Sequence, residues 1–317
     1  MLAPDITRDE VEKFKKLLDY FKQLAEDGVT TLIEKQLLLM LDHAVPFFSH
    51  LVMTDIFPEI HRQTVNKRVL EGANKRIWNI KELKYPPKEK VKKYGRCNYR
   101  NQSILYSSFS SFTANNESQP RVGDIITETV WHVKNNQHLK YCPIFKNQPK
   151  GKDVINPRTF EINQLYQKKI KIYPEFVQEQ IDSLVQFIAD AFTKRVNHNN
   201  DLDYIFSAYF SNKIYNDFEN GTIEAIYYPS VQDGLSFENL AIKSDVFDEK
   251  YELVKVHDSV CVVDPTSGSR GFFFEGLSDC TSFDFTTGKI LWNNTRIYQP
   301  VSRLLEMKKD FGILLDE

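Results

Sequence analysis

Helical spacing of apolar residues dominates the first 74 residues of this 317-residue chain, and short β-branched and aromatic runs begin at Lys75. The helical and extended patterns do not alternate regularly, as they would in a parallel βαβ sheet. This intermixed order predicts an α+β fold. We expect a helical N-terminal domain over residues 1–74 and a second domain over residues 75–317.

The predicted N-terminal domain begins with two helices. Thr7 and Glu10 have the spacing of a capping box and open an amphipathic helix over residues 7–27. A second capping pair, Thr31 and Glu34, opens a more apolar helix. Few strand signals follow, so we predict further short helices up to the end of this domain.

The second domain mixes short strands with helices. The strands are predicted over residues 104–107, 125–134, 225–228 and 252–256. Pro174 opens a strong helical pattern, and another helix is predicted over residues 204–216. Thr287-Gly288 separates two apolar runs and predicts a hairpin, while residues 147–157 predict a loop.

The composition limits the class of protein. The chain has 41 basic and 43 acidic residues and is 41% hydrophobic, which predicts a globular protein and does not favour a nucleic-acid or membrane partner. No apolar run has signal-peptide or transmembrane length. Four scattered cysteines and seven histidines show no metal-ligand spacing. We therefore expect a cytoplasmic protein without a metal site.

Four polar side chains carry most of the chemical information. Arg96 lies in Gly-Arg-Cys-Asn, Tyr106 in Leu-Tyr-Ser-Ser, Glu117 in Ala-Asn-Asn-Glu and Ser230 in Tyr-Pro-Ser. They combine a fixed cation with one carboxylate and an aromatic ring, which suits a cationic substrate that carries phosphates. Cleavage of the nicotinamide–ribose bond of NAD has this requirement, because the cationic nicotinamide departs as a neutral molecule without a general acid. One carboxylate then suffices to stabilise the oxocarbenium-like sugar.

The same motifs resemble the RES family of bacterial NAD-consuming proteins. Tyr106 follows Arg96 by ten residues and Glu117 follows it by twenty-one, which resembles the family spacing. Arg76 resembles the family's early arginine, and the late Tyr-Pro-Ser with Asn-Leu-Ala resembles its closing elements. The resemblance implies a mixed β-sheet fold related to ADP-ribosyltransferases, and NAD glycohydrolase or phosphorylase activity with NAD as substrate rather than cofactor.

The resemblance also implies residue roles and partners. Arg76 and Arg96 would anchor phosphates, Tyr106 would hold the nicotinamide end, Glu117 would stabilise the oxocarbenium ion, and Ser230 would bind ribose or phosphate oxygens. The implied catalytic set is Arg96, Tyr106, Glu117 and Ser230, and the implied NAD-binding set is Arg76, Arg96, Asn98, Tyr106 and Ser230. A toxin or phage-defence effector is implied, with an antitoxin or regulatory protein as partner, or self-association. The N-terminal helices would restrain the activity or bind that partner.

Other interpretations remain open. Residues 81–100 hold eight Lys or Arg against two Glu, with three interleaved tyrosines, which is typical of a local RNA-binding patch. A nucleotide-binding interaction module without catalysis is a further alternative. Taken singly, Glu117 is typical of a solvated helix residue, Tyr106 of a core strand and Ser230 of a turn.

Overall fold

The structure, a computed structural model, describes residues 7–45, 50–66, 77–146, 156–196, 200–268, 271–292 and 309–310. Its helices are α1 (Arg8–Asp27), α2 (Glu34–Ala44), α3 (Ser111–Ser118), α4 (Pro157–Ile170), α5 (Glu175–Thr193), α6 (Ile205–Asn216) and α7 (Ser244–Lys250). Its strands are β1 (Met53–Asp55), β2 (Glu59–Val65), β3 (Ile104–Ser108), β4 (Ile125–Val133), β5 (Leu139–Pro143), β6 (Ala225–Pro229), β7 (Glu238–Lys243), β8 (Tyr251–Val263), β9 (Phe273–Cys280), β10 (Phe283–Asp284) and β11 (Lys289–Ile290). The predicted α+β class is confirmed.

Contacts divide the chain into two compact units that interleave along the sequence. The first unit comprises Met1–Asp55, Pro87–Ile104 and Leu139–Lys243. The second comprises Ile56–Pro86, Leu105–His138 and Ser244–Glu317. The predicted boundary at residue 74 lies outside the described residues, and the division into residues 1–74 and 75–317 stays a prediction.

The first unit contains a mixed sheet in the order β1-β5-β6-β7. Strands β5 and β6 run parallel, and the other neighbours run antiparallel. Helix α1 packs on α5, where the ring of Phe21 lies 6.4 Å from that of Phe187 and 6.1 Å from that of Phe206. The side chain of Phe21 is fully buried, so the N-terminal helix is part of this unit's core.

The second unit contains an antiparallel sheet in the order β3-β2-β4-β8-β9 and the small hairpin β10-β11. Trp131 on β4 is buried, and its ring lies 4.8 Å from that of Phe247 on α7. Ile60 and Leu253 are opposite Trp131 on the neighbouring strands and are buried with it. Because directly opposite residues share a face, this face of the sheet forms an apolar core under α7.

Most of the predicted elements are confirmed. The capping box of α1 is formed, with the Glu10 N–H donating to Thr7 Oγ1 at 3.3 Å. Helix α2 is present but begins after Ile33, without the predicted side-chain cap from Thr31. The predicted hairpin is formed, and Gly288 has a positive φ of 72° in its turn.

The prediction of short helices up to residue 74 is wrong, because β1 and β2 occupy part of that region. Strand β2 is paired with β4 along its whole length, from Glu59 opposite His132 to Val65 opposite Ile126. These ladder hydrogen bonds join segments far apart in sequence, and they outweigh weak local preferences. Helix α4 was not predicted, although Asn156 caps it and Pro157 occupies its first position.

Candidate functional site

The predicted site residues are distributed over both units. Arg96, Asn98 and Ser230 belong to the first unit, and Tyr106 and Glu117 belong to the second. Arg76 lies outside the described residues.

In the first unit, Arg96 satisfies the end of a helix. Its guanidinium donates to the carbonyl oxygen of Phe192 and, at 3.3 Å, to that of Lys194, where α5 ends. The same group lies 5.3 Å from the centre of the Tyr204 ring. The last carbonyls of a helix lack partners within the helix, and an arginine at that position satisfies them. The role of Arg96 in binding phosphate stays a prediction.

Asn98 and Ser230 are buried and hold loops in place. Asn98 Nδ2 donates to the carbonyl oxygen of Tyr99 at 2.9 Å. The Ser230 N–H donates to the carbonyl oxygen of Phe237 at 2.7 Å, and its Oγ accepts from the Asp233 N–H at 3.3 Å. The two hydrogen bonds of Ser230 close the connection between β6 and β7. Contacts of either residue with a ribose or a phosphate stay predictions.

In the second unit, the backbone of Tyr106 contacts a half-buried arginine that the sequence did not single out. Arg62 on β2 donates from Nη1 to the carbonyl oxygen of Tyr106 on β3 at 3.0 Å. Burial lowers the pKa of Arg62 to about 10, and the nearby phenol of Tyr106 opposes the shift. The guanidinium therefore joins β2 to β3 at the backbone of Tyr106.

Arg62 has unused capacity to bind an anion. Its Nε is buried without a hydrogen-bond partner, and no carboxylate among the described residues forms an ion pair with it. A buried cation without an acidic partner is costly unless a ligand supplies the negative charge. The extended conformation of β2 is the feature that places Arg62 beside β3, whereas the sequence predicts helices in this region and Arg76 as the early arginine.

Glu117 lies half-buried on α3. This helix is hydrogen-bonded to Gln63, the residue that follows Arg62 on β2. Gln63 Nε2 donates to Asn115 Oδ1, and Ser118 Oγ donates to Gln63 Oε1 at 2.6 Å. Gln63 is directly opposite Glu128 on β4. Consecutive residues of β2 therefore contact the strand that carries Tyr106 and the helix that carries Glu117.

Glu128 belongs to a chain of alternating acidic and imidazole groups. His61 Nδ1 lies 3.1 Å from Glu128, its Nε2 lies 3.0 Å from Glu59, and His132 lies 2.8 Å from the other oxygen of Glu59. Burial raises the pKa of Glu128, but hydrogen bonds from His61 and Ser111 hold it below its usual value. Burial lowers the pKa of His61, and the two carboxylates outweigh this effect and raise it. With both ring nitrogens facing carboxylates, the imidazolium form fits this geometry.

The segment proposed for RNA binding offers charge but little stacking surface. In the first unit, the Tyr94 hydroxyl donates to Glu34 at 2.8 Å, and its ring packs edge-on against Tyr99 at 5.4 Å. In the second unit, the Tyr85 hydroxyl donates to Asp248. The exposed lysines of the segment are Lys81, Lys88, Lys90, Lys92 and Lys93. This arrangement supports a charged surface more than a base-stacking platform.

A separate cavity of about 730 Å³ lies in the second unit. It is lined by Trp78, Asn79, Lys289, Ile290, Leu291 and Trp292. None of the predicted site residues lines this cavity, so we do not assign the predicted chemistry to it.

Across the described segments, no cluster of three or more His, Cys, Asp or Glu side chains could hold a metal ion. Within the same segments, no helix is both long enough and apolar enough to cross a membrane. In comparisons with known proteins, no family model and no curated protein matches this chain.

Proposed function

We propose that this chain cleaves the nicotinamide–ribose bond of NAD, with the catalytic groups carried by the second unit. The observation that supports this most is the placement of two consecutive residues of β2. Arg62 contacts the strand of Tyr106, and Gln63 contacts the helix of Glu117. The Tyr106 backbone and the helix of Glu117 are thus both attached to β2, with Arg62 and Gln63 extending to opposite faces of this strand.

Each group has a role that its chemistry suits. Arg62 binds the pyrophosphate, a role first expected of Arg76 and Arg96, because guanidinium groups bind phosphate oxygens through paired hydrogen bonds. Tyr106 stacks on, or hydrogen-bonds to, the nicotinamide or its ribose. The bond between ribose C1′ and the nicotinamide nitrogen breaks, and its electron pair leaves with neutral nicotinamide. Glu117 stabilises the positive charge that develops on the ribose until water or phosphate adds at C1′ and loses a proton.

The proposal includes a fold of the RES type, related to ADP-ribosyltransferases. It is supported by the α+β class and by the mixed sheet order of the first unit. The resemblance also suggests a partner protein that restrains the activity, since unrestrained loss of NAD harms the cell that makes the enzyme.

Nicotinamide release from NAD tests the proposal. Purified protein is incubated with NAD, with and without phosphate, and the products are separated by chromatography. Glu117→Gln keeps the size of the side chain and removes its charge, so we expect at least about a hundredfold loss of turnover. Glu249→Gln is the matched control, because Glu249 is exposed on α7 of the same unit. Equal turnover in the wild type and Glu117→Gln would remove Glu117 from the mechanism.

A second candidate is nucleotide binding without cleavage. The spare capacity of Arg62 supports it equally, because anion binding by Arg62 needs no carboxylate at position 117. Tight binding of NAD without any release of nicotinamide would favour this alternative.

A further inference from the structure

The helix that carries Glu117 is too short and too polar to hold its own position. It spans Ser111–Ser118, two turns that include two asparagines, which are poor helix formers. Its ends are capped locally: Ser110 Oγ accepts from the Thr113 N–H at 3.2 Å, and Gln119 is left-handed with a φ of 46°. These caps define the helix but do not fix it against the sheet. Its placement must come from contacts with other elements.

Gln63 supplies such a contact on both sides of Glu117. Its amide group donates to Asn115, two residues before Glu117, and accepts from Ser118, the residue after it. Gln63 itself lies in the middle of β2, which is paired along its length with β4. A side chain on a well-paired strand therefore holds the turn of the helix that carries the carboxylate.

Glu128 supplies a second contact at the opposite end of the helix. It lies across from Gln63 on β4, and the side chain of Ser111, the first residue of α3, is close enough to lower its pKa. His61 holds the same carboxylate from the side at 3.1 Å. The helix is thus held in its second turn by the hydrogen bonds of Gln63, and its first residue lies beside Glu128.

We propose that Gln63 is a positioning residue for Glu117, and that its amide fixes where the carboxylate meets the substrate. This inference rests on the proposed function. Rates depend steeply on the geometry of the reacting groups, and a misplacement of about 1 Å can cost about a hundredfold. Binding of the phosphates through Arg62 does not depend on α3. Loss of the Gln63 contacts should therefore lower kcat and leave KM for NAD nearly unchanged.

Steady-state kinetics and a double-mutant cycle test this role. Gln63→Ala removes both hydrogen bonds, and we expect kcat to fall about tenfold to a hundredfold with KM changed less than about threefold. A double variant, Asn115→Ala with Ser118→Ala, removes the same bonds from the helix side. Combining all three substitutions should cost little more than Gln63→Ala alone, because the bonds are already lost. Thr64→Val, the next position on β2, is the control and should keep wild-type kinetics.

Amide hydrogen exchange of residues 111–118 provides a readout that does not require activity. We expect Gln63→Ala to exchange faster in this helix while the paired residues of β2 and β4 stay protected. Unchanged kcat in Gln63→Ala of an active enzyme, or additive costs in the cycle, would overturn the positioning role. If the wild type releases no nicotinamide, the proposed function fails. The rate of amide hydrogen exchange in residues 111–118 then tests only whether Gln63 holds this helix. In that case, an unchanged exchange rate in Gln63→Ala would refute the contact between Gln63 and the helix, and a faster rate would support it.

Discussion

Arg62 carries a half-buried positive charge that forms no ion pair with a carboxylate among the described residues. Its Nε is buried without a partner, and the one described hydrogen bond of its guanidinium goes to the carbonyl oxygen of Tyr106. Arg96 differs, because it binds two carbonyl oxygens at the end of α5 and so has a structural use. This contrast separates an arginine available to a ligand from one that stabilises the fold.

Replacing Arg62 should therefore weaken ligand binding without destabilising the protein. In Arg62→Met the apolar part of the side chain is kept and the buried charge is removed, which is often neutral or stabilising. We expect the affinity for ADP-ribose, measured by calorimetry, to fall at least about tenfold, with an unfolding midpoint equal to or above that of the wild type. A lower midpoint with unchanged affinity would assign Arg62 a purely structural role.

His50 makes the stability of the first unit depend on pH. The side chain is buried, accepts a hydrogen bond from the Leu51 N–H at 2.9 Å and lies 3.4 Å from the sulfur of Cys142. Burial lowers the pKa of His50 from 6.5 to about 4. The unfolded chain takes up this proton at a higher pH than the folded one. The stabilisation from a neutral His50 is therefore complete above pH 6.5 and is lost as pH falls towards 4.

A variant that cannot titrate should lose this dependence. His50→Asn keeps an acceptor near the position of Nδ1 and carries no proton at any of these pH values. Between pH 7 and pH 5, we expect the unfolding free energy of the wild type to fall by about 2 kcal/mol more than that of the variant. Denaturant titrations at the two pH values measure the difference. Parallel losses would show that His50 titrates normally in the folded state.

At the scale of elements, α1 is an integral part of the first unit rather than an appendage. Phe21 is fully buried between rings of α5 and α6, and Val11 and Leu18 are buried on the same side. Phe21→Ala should lower the unfolding free energy by about 3 to 5 kcal/mol through lost burial and the cavity it leaves. Tyr20→Ala is the control, because Tyr20 is 48% exposed and should change stability by less than about 0.5 kcal/mol. Equal effects of the two substitutions in denaturant titrations would show that α1 does not pack as described.

The elements that sequence reasoning predicted are those with strong local signals. Helix α1 has a capping box, an apolar stripe and a terminal glycine, so its limits were predicted almost to the residue. Strand β2 has weak local preference and exists because β4 pairs with it, and that partner begins sixty residues later. Because β2 was not predicted, neither were Arg62 and Gln63, which contact the strand of Tyr106 and the helix of Glu117.

At the scale of the molecule, the two compact units are each assembled from three separate stretches of chain. A truncation that starts near residue 74 would remove α1 and Phe21 from one unit and β2 from the other. It would therefore test folding rather than the proposed restraint by the N-terminal region. Sequence order alone could not reveal this interleaving, because it depends on which distant segments pair. The sequence did single out Tyr106 and Glu117, and the structure connects each of them to β2.

Cleavage of NAD by this chain is tested by the release of nicotinamide by the purified protein, compared with Glu117→Gln and the control Glu249→Gln. We expect release by the wild type and by Glu249→Gln, and at least about a hundredfold less by Glu117→Gln. The co-product formed with and without phosphate then identifies the acceptor. Equal release by all three proteins would contradict the role of Glu117, and binding of NAD without release by any of them would contradict cleavage.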